Sequence, residues 1–434
     1  MTYADAIADL YGLRMFGLKL GLENPHRLAA LAGNPQEILR FIHVAGTNGK
    51  GSTCALLESV CRASGLRVGL FTSPHLVSFA ERFQVDRVPA SEAEIVQLVS
   101  EIQPLVVQLS TAHGDEATAS HPTFFEVVTV MALRHFAAQR CDIVIWETGM
   151  GGRLDATNIV TPLASVITSI GLDHQNFLGN TLREIAAEKS GIIKPRVPII
   201  TGADSPEALA VITETSARLH APLTIVTRGD TAKPPLDTLE LQLLGDHQRL
   251  NAAVAIATLR ALRDAVPVTD DALRRGLASA AWPGRLQRIR RGAQQILLDG
   301  AHNIDSARAL RDALAKYFPG EKPVLILGIL RDKSFAEMCA LLAPLASRIL
   351  LVPVQNERTA STAELFPICR NANPTAAITE CASLREALAR AGDAPFLTIT
   401  GSLYLIGEAM ELLGVAAANA SSERALNESH RVVR

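Results

Sequence analysis

Aromatic residues are scarce in this 434-residue chain, only 4% of it, and neither sign of charge prevails: 42 Lys and Arg stand against 44 Asp and Glu, a formal net charge of -2. So few rings leave little for stacking single-stranded bases. No basic field is present to gather nucleic acid or an anionic membrane surface. The six cysteines, Cys54, Cys61, Cys141, Cys339, Cys369 and Cys381, form no C-x-x-C pair, and no spacing suggests a zinc site. They read as reduced core residues of a cytosolic protein; Cys54 and Cys61 fall at a helical spacing that suggests one buried face. No uncharged apolar run reaches membrane-spanning length. The N-terminus, "MTYADAIADLYGL", carries Asp5 and Asp9 but no basic stretch, unlike a secretory signal. The expectation is a cytoplasmic chain with neither nucleic acid nor a membrane as partner.

What is present is ample core material, 48% hydrophobic, in a length that suits about two or three domains. From about residue 40, short β-rich runs alternate with amphipathic helical ones. "FIHVAG", "LRVGLFT", "CDIVIWETG", "PLASVITSI" and "VPIITG" read as strands, each followed by a loop or helix. That alternation predicts an α/β fold with a mostly parallel sheet and ligands at the carboxyl ends of its strands. Pro283 and Gly284 break the pattern within an arginine-rich stretch, "AAWPGRLQRIRRGAQQ". The alternation then restarts with "QILLDGAHN", a helix over Ser306 to Tyr317, "PVLILGIL", and helices from Ser334, Thr362 and Ser383. Domains are placed at 1–288 and 289–415. Residues 416–434, aperiodic Ala, Ser and charge, read as a tail.

"FIHVAGTNGKGST", Phe41 to Thr53, lies where a strand passes into a helix, so backbone N–H groups and a helix N-terminus converge as an anion site requires. Gly46, Gly49 and Gly51 let the backbone approach closely. Lys50 supplies a point charge for β and γ phosphates, and Ser52 or Thr53 a hydroxyl. The spelling departs from G-x-x-x-x-G-K-[S/T]: Gly51 stands between Lys50 and Ser52.

That variant loop resembles the one in the Mur ligase superfamily, ATP-dependent carboxylate–amine ligases, and within it most resembles the folylpolyglutamate synthase and dihydrofolate synthase family. The same branch is resembled, in order, by "TSPHL", "TFFE", "GMGGRLDATN", "GLDH", "EKSGIIK", "HQRLNAAVA", "WPGRLQ", "DGAHN", "GILRDK" and "TGSLYL". The resemblance covers nearly the whole chain outside the tail. It implies a large N-terminal P-loop ATPase domain and a smaller Rossmann-like C-terminal α/β domain. The activity implied is bifunctional: joining L-glutamate to 7,8-dihydropteroate, then adding glutamates to reduced folates, at the expense of ATP and through an acyl phosphate. Partners are then these small molecules, and the chain is read as a monomer. Two other readings stay open: a ligase of the same superfamily with another acceptor, such as a cell-wall precursor, and a non-catalytic ATP-binding module.

The resemblance also implies roles. Nucleotide contacts fall on Gly46, Thr47, Asn48, Gly49, Lys50, Gly51, Ser52, Asn251, Arg285, Asp299 and His302. Two Mg²⁺ sites are expected, with Ser73 and Glu126 at one and His174 at a second, and Lys189 as a further metal ligand in the form of a CO₂-derived carbamate. Lys50, Lys189, His174 and Arg285 form the catalytic set. The pterin falls to Arg82, Thr123, Phe125, Asp155 and Ala156, and glutamate to Lys333, Ser402 and Tyr404, with Arg358 more weakly placed. Ordinary readings compete with several of these. Thr123-x-x-Glu126 is also a capping box, Phe125 suits the core of its helix, and Lys189 suits an exposed lysine near a helix C-terminus. His174 is an unusual Mg²⁺ ligand, since that ion prefers oxygen.

Overall fold

The structure, a computed structural model, describes residues 1–17, 21–111, 121–416 and 423. The expected tail at 416–434 lies outside these but for residues 416 and 423. The described residues fall into two compact units, Met1–Gln242 with Arg249–Ala280, and Leu243–Gln248 with the chain from Ala281 on.

The first unit is built on eight strands: β1 (Phe41–Ala45), β2 (Val68–Phe71), β3 (Phe83–Val85), β4 (Val88–Pro89), β5 (Ile143–Glu147), β6 (Ala164–Ile167), β7 (Ile199–Thr201) and β8 (Leu223–Ile225). Their spatial order is β4-β3-β2-β5-β1-β6-β7-β8. Every pairing from β2 through β8 is parallel, and only the β3 and β4 edge runs antiparallel. All five runs read as strands are strands, and each is buried along its length. Burial on both faces explains their continuous rather than alternating apolar pattern.

The helix Lys50–Ala63 that follows β1 differs from expectation. It is not amphipathic with one buried face; every residue from Ser52 to Cys61 is buried. The helix Asp270–Ser279, far away in sequence, packs against it, with the Ser59 hydroxyl donating to Gly276 O at 2.8 Å. Periodicity cannot reveal a second cover of that kind.

Several of the few aromatic rings cluster in the core of the first unit. Trp146, fully buried, meets Phe71 at 4.5 Å between centroids, Phe41 at 5.5 Å and Phe136 at 6.4 Å. Its indole N–H donates to Thr157 O at 3.0 Å, so the polar handle of this core side chain is satisfied.

The second unit carries β9 (Gln287–Arg291), β10 (Gln294–Asp299), β11 (Val324–Leu327), β12 (Arg348–Leu351), β13 (Ala377–Glu380) and β14 (Phe396–Thr400), in the order β13-β12-β11-β14-β10-β9. Only β9 is antiparallel. The helices Ile304–Tyr317, Phe335–Leu342, Thr362–Ala372 and Leu384–Ala391 lie where the sequence places them. The six cysteines are all free and buried. Among the described residues no helix is long and apolar enough to cross a membrane.

The aromatic cluster yields a stability prediction. Phe136→Ala removes a fully buried ring, a change that costs about 3–5 kcal/mol and lowers the midpoint of thermal unfolding by roughly 10 °C. A calorimetric midpoint within a degree or two of the parent would show that the cluster does not hold the first unit together.

Candidate active site

The loop Gly46–Gly49 connects β1 to its helix with Gly46 at φ 152° and Gly49 at φ 87°. A Cβ on Gly49 would fall 2.5 Å from Asn251 Oδ1, so backbone conformation and close approach both demand glycine there. The same contact brings Asn251 to the loop. The loop is pinned from behind by the residues just past β6. Thr47 N donates to Ser169 O at 2.7 Å, and Asn48 N to Ser169 Oγ at 3.1 Å. The Thr168 hydroxyl donates to Asn48 O at 2.7 Å, and Gly171 N to Thr47 Oγ1 at 3.0 Å. Sequence reasoning missed Thr168 and Ser169. Their one signal is a pair of hydroxyls directly after an apolar strand.

Two lysines converge on this loop. Lys50 Nζ donates to Gly46 O at 3.0 Å, and Lys189 Nζ donates to the same oxygen at 2.9 Å. Lys189 is not the exposed lysine of the ordinary reading; it is 4% exposed. Its helix, Leu182–Ser190, does have the Thr181–Glu184 capping box and the Gly191 end expected of it. The buried amine is brought down from 10.5 to about 7, first by desolvation and then by the Lys50 charge, with Asp173 and Asp155 pulling the other way. Asp173 is buried and belongs to this electrostatic neighbourhood, although it was not foreseen. His174, the residue foreseen, is exposed at φ 51°.

At the carboxyl ends of β2 and β5, Ser73 N donates to Glu147 Oε2 at 3.0 Å. Glu147 is buried and was also missed. Glu126 is buried and completes the capping box of the helix Phe124–Ala138, taking Thr123 N on Oε2 at 2.6 Å. The capping reading is therefore correct as geometry, and it does not preclude a ligand role. Among the described residues no group of three or more His, Cys, Asp and Glu is placed to hold a metal. The available donors are oxygens: the Ser73 hydroxyl, the Glu126 carboxylate and the Thr53 hydroxyl, which is buried without a hydrogen-bond partner. Oxygen donors are the type a hard cation such as Mg²⁺ takes, alongside water and substrate phosphate oxygens.

Phe125 is only half-buried, so the core reading does not hold for the whole ring. It lies 6.1 Å from Phe71 between centroids, and a Cβ on Gly149 would fall 2.5 Å from Phe125 Cζ and 3.2 Å from Asp155 Oδ2. The edge of Phe125 and the Asp155 carboxylate thus come together over the same side of one glycine. Asp155 is buried and accepts from Met150 N at 2.7 Å and from Thr157 N at 3.1 Å. Burial raises its pKa, and these donors oppose the rise. Ala156 follows, 5% exposed. Arg82 is buried, donates to His75 Nδ1 at 2.9 Å and lies 5.6 Å from the Phe124 ring.

In the second unit, Arg285, Asp299 and His302 gather at the carboxyl end of β10. Asp299 accepts from Leu286 N at 2.9 Å and Ala301 N at 3.0 Å. Burial raises its pKa, and Arg285 opposes the rise. His302 Nδ1 lies 2.8 Å from Gly300 O. A second group forms elsewhere in the unit: Arg358 pairs with Asp332 at 2.9 Å and reaches Tyr404 Oη at 3.4 Å. Lys333 is the next residue after Asp332, and the Ser402 hydroxyl accepts from Tyr404 N at 3.2 Å. Arg358, the weakest of the expected glutamate residues, is thus tied directly to Tyr404.

A phosphate loop at a strand–helix junction, beside a parallel sheet whose strand ends collect carboxylates and a buried lysine, defines an ATP-handling protein of the Mur ligase kind. The family model of the Mur ligase middle domain matches residues 44–259, and that of the Mur ligase glutamate ligase domain residues 284–403. The dihydrofolate synthase/folylpolyglutamate synthase of Bacillus subtilis is 36% identical over 94% of this chain and 98% of its own. Its Escherichia coli counterpart is 32% identical over 94% and 95%. Among solved structures, Mycobacterium tuberculosis folylpolyglutamate synthase complexed with ADP and AMPPCP superposes with a TM-score of 0.86 at 29% identity, covering 95% of this chain and 99% of that one. E. coli FolC in complex with DHPP and ADP gives 0.82 at 31%, covering 96% and 98%. The chain belongs to the folylpolyglutamate synthase/dihydrofolate synthase family.

The buried lysine makes a pH prediction. Between about pH 7 and 10.5 the unfolded chain binds a proton at Lys189 that the folded chain has released, so this residue's penalty to stability is full below pH 7 and fades as pH rises. Lys189→Met, in bicarbonate-free buffer, should therefore unfold at higher temperature than the parent. The gap should be largest near pH 6, on the order of a few kcal/mol, and should narrow toward pH 10. Equal midpoints at pH 6 would refute burial of the charge.

Proposed function

We propose that the chain is a bifunctional, ATP-dependent glutamate ligase, acting on dihydropteroate and on reduced folates through an acyl phosphate. The observation that carries this reading is the convergence of Lys50 and Lys189 on Gly46 O within the phosphate loop, in a chain of this family. An amide does not form from a free carboxylate in water, so the acyl group must first be activated. The substrate carboxylate takes the γ-phosphoryl group and ADP leaves. The glutamate amine then attacks the acyl carbon, phosphate leaves, and the amine gives up a proton. Both steps handle concentrated negative charge, which fixed cations and loop N–H groups stabilise best when already in place.

Lys50 and Gly46 to Ser52 are assigned to the phosphates, with Asn251, Arg285, Asp299 and His302 completing the nucleotide contacts. Ser73 and Glu126 would hold one Mg²⁺, with His174 and a carbamate on Lys189 at a second. The ion supplies neutralisation of phosphate charge. Lys189 suits carbamate formation because the neutral amine is the form that attacks CO₂, and a pKa of about 7 leaves a large share neutral at physiological pH. The neutral amine bonds to the carbon of CO₂, a C=O pair moves onto oxygen and the nitrogen releases one proton to solvent, so an anionic oxygen donor stands where an ammonium would. Arg82, Thr123, Phe125, Asp155 and Ala156 are assigned to the pterin: an aromatic face beside a carboxylate suits a flat ring with N–H groups on its edge. Lys333, Ser402 and Tyr404, together with Arg358, are assigned to glutamate. We also assign the working state to the monomer.

Release of ADP on mixing the protein with ATP, glutamate and dihydropteroate tests the reading, with UDP-linked muropeptides as the comparison acceptor. ADP release with the muropeptides alone would replace it with a cell-wall ligase. ATP binding without acceptor-dependent turnover would leave only a binding module. Lys50→Ala should lose turnover without any fall in melting temperature, because this side chain supports no core and its removal relieves the repulsion on Lys189.

Lys189→Arg tests the carbamate. Arginine keeps its charge and cannot form one, so the variant should be inactive. Parent activity should fall when bicarbonate is stripped and return when it is restored. An active Lys189→Arg enzyme would remove the carbamate from the mechanism.

A further inference from the structure

Between β1 and the loop after β5 runs a buried chain of hydrogen bonds that the mechanism has not used. His43, in the middle of β1, is completely buried. Its Nε2 lies 2.9 Å from Thr157 Oγ1, and Thr157 Oγ1 lies 2.5 Å from Asp155 Oδ1. The other ring nitrogen, Nδ1, is buried with no hydrogen-bond partner. Thr157 is held on its remaining sides, its carbonyl taking the Trp146 indole N–H and its own N–H going to Asp155. The hydroxyl therefore has little freedom to choose other partners.

The direction of this chain follows from the donor inventory. An ionised Asp155 can only accept, so the Thr157 hydroxyl spends its single proton on Asp155 and must accept from His43. His43 is then the tautomer with its proton on Nε2, and Nδ1 is left with an unused lone pair rather than a stranded N–H. The opposite direction would bury an unsatisfied N–H at Nδ1, the costlier error. Burial first, and Lys194 second, bring the imidazole down to about 3, so it stays neutral.

We infer that His43 is a positioning residue for the dihydropteroate reaction: through the Thr157 hydroxyl it holds Asp155 as an oriented carboxylate that accepts from the N–H edge of the pterin. This rests on the assignment of Asp155 to the pterin. The competing explanation is purely architectural, because Asp155 also caps the short turn Ala156–Ile159 and His43 fills the inside of β1.

The two explanations separate in steady-state kinetics. His43 stands three residues before Gly46, so a merely structural lesion in β1 should disturb the phosphate loop and raise the KM for ATP. Loss of positioning should instead raise the KM for dihydropteroate by about tenfold and leave that for ATP within twofold. We expect the second pattern for His43→Leu. The His43→Gln variant, whose amide N–H stands near the place of the imidazole Nε2–H, should recover most of the loss. If His43→Leu does not fold, Thr157→Val, which keeps the shape and removes the hydroxyl, carries the same expectation, with Thr157→Ser as its rescue. A parallel rise in both KM values, or no rise for dihydropteroate, overturns the inference, provided Asp155→Asn still raises the dihydropteroate KM. If Asp155→Asn leaves that KM unchanged, the pterin assignment itself is wrong and the inference falls with it.

Discussion

Two ammonium groups share one carbonyl oxygen, Gly46 O, at 3.0 and 2.9 Å, and much of the first unit is arranged around that fact. Like charges this close repel, and one of them is buried. The arrangement persists because each element that carries a lysine is fixed by something else. Lys50 opens a helix enclosed on all sides. Lys189 lies at the end of a helix capped at Thr181, and the loop after β5 is tied to that end by Arg153 N donating to Glu188 O at 2.7 Å. The fold therefore imposes an electrostatic tension that an anion at the loop relieves. It also leaves one amine close to neutrality, the state a lysine needs to act as a nucleophile.

The same economy recurs at the carboxylates. Glu126 and Asp155 are both caps, one of a long helix and one of a short turn. A cap fixes a carboxylate at the first turn of a helix, where backbone N–H groups stabilise its charge. In a parallel sheet, that first turn stands at the carboxyl ends of the strands, where ligands bind. Local structural function and site chemistry are thus compatible in one residue. Choosing between them from sequence, as if only one were true, misstates the physics. Phe125 is similar, with part of its ring packed on Phe71 and part accessible.

Much was legible in the residues. The strands β1, β2, β5, β6 and β7, the capping boxes at Thr123 and Thr181, and the restart of the α/β pattern after Pro283 follow from local periodicity and turn chemistry. The loop Gly46–Ser52 announced itself by its glycines and lysine. What stayed hidden was long-range: Thr168 and Ser169 behind the loop, Glu147 beside Ser73, Asp173 near Lys189, and His43 joined to Asp155 through Thr157. Each is an ordinary residue in its own segment. Its importance comes from a partner tens to more than a hundred positions away, brought near by the parallel order of β2, β5, β1 and β6.

The sequence by itself determined the central strands, the capping boxes at Thr123 and Thr181 and the glycine-rich loop Gly46–Ser52, because those depend on interactions within a few residues along the chain. Family membership was likewise legible from its motifs. Only the tertiary structure decided that Lys189 is buried rather than exposed, that the helix Lys50–Ala63 is enclosed rather than amphipathic, and that Arg358 belongs with Tyr404. Burial and charge environment are set by what other segments place around a residue. Strand order, which brings those segments together, is a property of the whole sheet and has no local spelling.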